Sequence, residues 1–175
     1  MVSTLNINKQ NKSKMKPKYK DFLSKELPTM LRQLEGSQAP NFGLMTAQHM
    51  VEHLTYVTKT FMKRHGEPEG ELTKSQLYFQ KFIAKGCPFA YRPKEGVTKD
   101  DLSALRSANI EEAIQGLEAA TARFYTLFEE SPNHKGYNAM MGEFNMEQLE
   151  VFAYQHGRWH AHQFGLIEEF TAVAA

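Results

Sequence analysis

With 175 residues and a single cysteine, Cys87, the chain is long enough for one self-supporting core and holds no internal disulfide. It is 41% hydrophobic and 23% charged with a formal net charge of +1, a globular balance with no overall bias toward nucleic acid or an anionic membrane surface. No run approaches the roughly 18 apolar residues of a membrane span, and the polar start lacks the apolar stretch of a secretory signal. The expectation is a cytoplasmic enzyme or binding domain that acts on a small molecule, with no nucleic-acid or membrane partner.

Residues 1–20 carry six lysines and no acid. Such a run reads as a solvated basic arm over 1–16, leaving 17–175 as one domain. From Pro17, the residues Tyr19, Phe22, Leu23, Leu27, Met30, Leu31 and Leu34 recur at helical spacing. Pro28 marks a kink or a break there, and Gly36 and Pro40 end the element. A second helix runs from a Thr46 cap to about Arg64, burying Ala47, Met50, Val51, Leu54, Val57, Thr58 and Phe61. His53 lies at the edge of this stripe, whereas His49 sits further round with Tyr56 and Thr60. After a Gly66–Gly70 loop comes a shorter helix over Thr73–Lys85.

Residues 86–99 contain Pro88, Pro93 and Gly96 without a sustained period, which predicts a long loop. Its Phe89 and Tyr91 line a pocket or cover the core edge. Cys87, in a Gly-Cys-Pro sequence with no neighbouring histidine, reads as a packed thiol. A third long helix begins near Asp101 or Asn109 and reaches Glu129, with Ile110, Ile114, Leu117, Thr121, Phe124 and Phe128 on one face. Ser131–Gly142 reads as loop, and no segment carries a strand pattern.

The last helix is the most informative. Asn145 with Gln148 resembles a capping box, and Gly165 suits the position just past the C-terminus. Leu149, Phe152 and Ala153 begin a stripe that His156, His160 and Phe164 continue, so an apolar face becomes imidazole midway. His156 and His160, four apart, face the same way with Cβ atoms roughly 5–6 Å from each other. Imidazole nitrogens at that separation can share a metal ion, and they can equally be core histidines satisfied by hydrogen bonds. His162 points elsewhere. No carboxylate shares the inward face, since Glu143, Glu147 and Glu150 precede it or lie off the stripe. Leu166–Ala174 adds a turn or two at most.

Four main amphipathic helices with extra short ones predict an all-α four-helix bundle, an architecture that builds metal sites from facing helices. The segments Thr46-Ala47-Gln48-His49-Met50-Val51-Glu52-His53-Leu54 and, about 100 residues on, His156-x-x-x-His160-x-x-Gln163-Phe164-Gly165 resemble the DinB/YfiT-like superfamily. The likeness follows the order of elements over roughly residues 40–165, although its informative motifs occupy only about 30 positions. It implies up-down-down-up connectivity and a three-histidine metal site, which falls on His53, His156 and His160. His53 matches better than His49 because an aliphatic residue, Leu54, follows it. Where relatives carry a further histidine this chain has Trp159, and where they carry a basic residue it has His162; neither is a ligand position.

Three imidazoles leave zinc an open coordination position, and nickel competes for the same nitrogens. The resemblance implies thiol-dependent transferase chemistry with a low-molecular-weight thiol as co-substrate. A metal-dependent hydrolase and a non-catalytic metal-binding or self-associating module stand as alternatives. His49, Tyr56, Trp159, His162 and Gln163 are the candidate pocket residues, while Glu52, pointing about 100° away from His53, is a poor base. A homodimer is expected through Phe79, Tyr125 and Phe144 as an exposed aromatic patch.

Overall fold

The computed structural model describes residues 16–68, 70–86, 95–168 and 170. The basic arm before Lys16, the segment 87–94 with Cys87, Phe89 and Tyr91, and the end of the tail lie outside the described residues. The chain is mostly helical, as the periodicities predict. Helix α1 covers 17–31 as three continuous pieces: α-helical Pro17–Asp21, a π turn Phe22–Glu26, and α-helical Leu27–Leu31. Helix α2 is Ala47–Phe61, α3 is Lys74–Ala84, α4 is Ile110–Glu130 and α5 is Met146–Gln163. A 3-10 turn, Lys99–Asp101, precedes α4.

Side-chain caps explain where α2 to α5 start, and Pro17 opens α1. Thr46, Thr73, Asn109 and Asn145 each accept a backbone N–H of the first turn, and Thr73 and Asn145 complete reciprocal boxes with Gln76 and Gln148. Asn109, not Asp101, therefore opens α4. Helix α1 runs through Pro28 without breaking. The π turn lies immediately before that proline, where its wider path relieves the clash between the ring and the carbonyl four residues back. At the other end of the chain, α5 closes with a Schellman motif around Gly165 at φ +71°. The Leu166 N–H bonds the Ala161 carbonyl at 2.8 Å and the Gly165 N–H bonds that of His162 at 3.0 Å.

Helices α1, α4, α2 and α5 touch in a ring, with α2 most extensively against α4, while α3 packs on α5 from outside. Leu27, Leu31, Met50, Val51, Ile114 and Phe152 belong to the core they enclose. Helix α5 touches α1, α2 and α3, so it is buried on more than one face and hides Glu150 and Gln155 as well as its apolar stripe. The expectation that Glu150 lies off the buried surface is thus corrected. Its carboxylate accepts the Tyr125 hydroxyl at 2.9 Å.

The segment expected to be loop contains an antiparallel hairpin, β1 Lys135–Asn138 and β2 Gly142–Asn145. Three residues connect the strands, and Gly142 follows at φ +80°, as a short bulged hairpin requires. Strand β1 also ends α2 early. Tyr137 accepts the His65 N–H at 2.9 Å and donates to the Lys63 carbonyl at 3.2 Å, so residues 63–65 leave the helix to pair with it. The proposed aromatic dimer patch does not exist: Tyr125 and Phe144 are core residues, and Phe79 packs against the core. Among the described residues, no helix is long and apolar enough to cross a membrane.

Candidate metal centre

The ring of helices brings His53 of α2 against His156 and His160 of α5. The Nε2 atom of His156 lies 3.3 Å from that of His53 and 3.1 Å from that of His160. The three ligand nitrogens all fall within 4.8 Å of one another, the arrangement of a set that could hold one metal ion. Bonds of about 2.0–2.1 Å in tetrahedral geometry imply nitrogen separations of about 3.3 Å, so His156 already stands at ligand spacing from each of the other two rings. His160 is 1% exposed, while His53 and His156 are partly buried.

Hydrogen bonding fixes the proton positions on one ring. The Gln163 side-chain N–H₂ donates to the Phe42 carbonyl at 2.7 Å, which leaves its Oε1 facing His160 Nδ1, also at 2.7 Å. Because Phe42 O can only accept, the amide orientation is set, and His160 must carry its proton on Nδ1. Its Nε2 therefore presents a bare lone pair to the cluster. A single proton on His156 Nε2 could serve only one of its two close imidazole contacts properly. A cation between the three lone pairs satisfies all of them.

Electrostatics keeps the rings neutral. Burial pushes His53 below the ordinary histidine range. It pushes His156 well below that range, with His160 and His53 adding repulsion between imidazolium charges. His160 is brought down to about 3, chiefly by burial and then by His53, against the opposing pull of its bond to Gln163. Neutral imidazole is the ligating form, so these shifts favour a metal over protons near neutrality.

The two sides of the cluster differ. An apolar void of about 30 Å³ lies on one side of His156, lined by residues such as Leu54, Val57, Leu117 and Phe152. On the other side, a cleft of about 460 Å³ opens from His53, lined by Met45, His49, Glu52, Tyr56 and the segment 102–106. Glu52 holds this segment in place. Its carboxylate accepts the Arg106 N–H at 2.9 Å, the Ser107 N–H at 2.9 Å and the Gln48 amide at 3.3 Å. Burial alone would raise its pKa, but the bonds from Ser107 and Arg106 outweigh it and the pKa falls. Glu52 is a structural anion.

The predicted pocket residues separate into three groups. His49 and Tyr56 line the cleft, although both His49 nitrogens are engaged: Nε2 with the Ser103 carbonyl at 3.1 Å and Nδ1 with the Thr46 hydroxyl at 2.7 Å. Gln163 lies behind His160 as its orienting partner, and Trp159 packs edge-on against that ring, centroids 4.6 Å apart. His162 turns away, its Nδ1 3.3 Å from the Ile167 carbonyl at the helix end. Sequence reasoning missed the wall formed by residues 102–106. The only signal for it was the acidic Glu52 beside His53. No family model, curated protein or solved structure matches the chain.

Proposed function

We propose that the chain is a metal-dependent enzyme on a DinB-like up-down-down-up bundle, in which His53, His156 and His160 hold one zinc or nickel ion and a small thiol is activated for transfer. The observation that carries this reading is the convergence of three Nε2 atoms at 3.1 and 3.3 Å, with the His160 tautomer set by Gln163. The order and spacing of the two histidine motifs, and the ring of four helices that presents them, support the bundle. When bound, a divalent ion at this point would keep a coordinated thiol deprotonated at neutral pH.

The chain's own residues do the rest. His53, His156 and His160 supply neutral nitrogens, and Gln163 keeps the His160 lone pair on target. The void at His156 is too small for a reactant, and the cleft at His53 admits one. Ester or amide hydrolysis also calls for a proton donor to the leaving group. Glu52, the one carboxylate lining the cleft among the described residues, is saturated by backbone and amide donors. A thiol adding to an activated double bond or an epoxide loses its proton as the S–C bond forms, and the electron pair displaced onto carbon or oxygen takes a proton back from solvent in the open cleft, so no carboxylate is required.

The test offers metal-loaded protein biological thiols with a generic electrophile, and separately esters and amides without thiol. Thiol-dependent turnover that His160→Ala abolishes is expected. Turnover of the esters or amides alone would make the protein a hydrolase, and silence in both arms a metal-binding module.

A further inference from the structure

The cleft at His53 continues along α2. A second cleft of about 370 Å³ shares Glu52, Tyr56 and Arg106 with the first and adds Lys59 and Lys63. Between the two stands Tyr56, 55% exposed, with the Arg106 guanidinium 5.9 Å from its ring centroid. The stacking holds the planar guanidinium at the mouth of the metal cleft. Among the described residues, the ion pairs within 4.0 Å leave Arg106, Lys59 and Lys63 unpaired. Glu52 does not neutralise them pairwise, because its oxygens are engaged by the Arg106 and Ser107 N–H groups and by Gln48. Three cations thus flank a cleft system with one acid, in a chain whose formal charge is only +1.

We propose that the metal centre serves a small organic anion, whose reactive group enters beside His53 while its carboxylate or phosphate is held by Arg106, with Lys59 beyond. This rests on the metal-centre reading above and names its substrate class. Helical geometry sets the size of the ligand. Tyr56 and Lys59 follow His53 by three and six residues, which at 1.5 Å per residue is about 4.5 and 9 Å along the helix. A molecule with about four to seven bonds between its reactive atom and its anionic group spans that distance. Guanidinium recognises both carboxylate and phosphate through paired N–H donors, so the oxyanion is the shared chemistry.

The test uses cobalt-loaded protein, in which a bound thiol announces itself by sulfur-to-metal charge-transfer absorption. The probes are 4-mercaptobutyrate, its neutral amide and 2-mercaptoethyl phosphate. At least one anionic probe is expected to bind about tenfold more tightly than the amide, and the preference should shrink at high salt because Arg106 is exposed. Whichever anion binds better identifies the natural oxyanion. Arg106→Gln should bring anion and amide to within about twofold while leaving amide affinity unchanged; its backbone N–H to Glu52 is retained, so the wall stays in place. Arg123→Gln, on the exposed side of α4, should change nothing. Equal affinity of all probes for the wild type, or equal weakening of anion and amide by Arg106→Gln, overturns the substrate class and leaves the metal centre standing. Absence of any cobalt spectrum in the wild type overturns both.

Discussion

Gln163 fixes the tautomer of His160, the most buried of the three histidines. Its amide is held between the Phe42 carbonyl and His160 Nδ1, both at 2.7 Å. Gln163→Leu removes that link and leaves His160 free to choose the other tautomer. Metal affinity is expected to fall by about 10- to 100-fold, the usual cost of losing an outer-shell partner. His162→Gln, at the end of the same helix, should leave affinity unchanged in competition with a chelator. The depressed histidine pKa values also predict a direction with pH. Unfolded histidine titrates near 6.5, and His160 in the fold near 3, so the unfolded chain takes up protons first as pH falls. Stability of the metal-free protein is therefore complete above about pH 6.5 and is lost toward pH 3, by about 1.4 kcal/mol per pH unit for each excess proton. Urea midpoints at pH 7 and pH 5 measure the loss. It should be smaller in His160→Gln, a comparison in which the opposing effect of the buried Glu150 cancels.

The hairpin is the element that joins the two histidine-bearing helices, since β1 pairs with the end of α2 and β2 leads directly into α5. A Cβ at Gly136 would run into the backbone carbonyl of Phe61, which has no rotamer to escape into. Gly136→Ala should destabilise the fold by about 2 kcal/mol, in the range of overpacking costs, and loosen the metal site with it. Denaturant midpoints check the first effect and metal affinity the second. The hairpin was not legible in the sequence because its strands are four residues each and alternate too briefly to outweigh a loop reading. The helices were legible, since caps such as Asn145 and stripes such as Ile114–Leu117–Thr121 agree with each other. The His156 and His160 pair was legible because imidazoles stand there on an apolar stripe, whereas His53, at the edge of its own stripe, joined them through the resemblance, and the three do cluster. What failed was the assumption that a helix has one buried face. Helix α5 touches three others, which is why Glu150 is inside the protein with Tyr125 of α4 bonded to it, while Phe144 is buried by the hairpin that was read as loop. The wall over His53 was hidden for another reason: it depends on Glu52 bonding backbone atoms more than 50 residues away.

Across the whole molecule, the chain places three neutral imidazoles where α2 and α5 meet, with a small void lined mainly by apolar residues at His156 and an open cleft at His53. Burying this many polar nitrogens with their lone pairs converging costs free energy unless something positive sits among them. In the function proposed above, a divalent metal does. The most direct test of that is the metal content of protein purified without a histidine tag, measured by elemental mass spectrometry alongside His156→Ala and His65→Ala. About one zinc or nickel ion per chain is predicted for the wild type and for His65→Ala, with nearly all of it lost in a folded His156→Ala. A folded His156→Ala that keeps a full equivalent of metal, or a wild type that takes up none from micromolar zinc or nickel, would contradict the account.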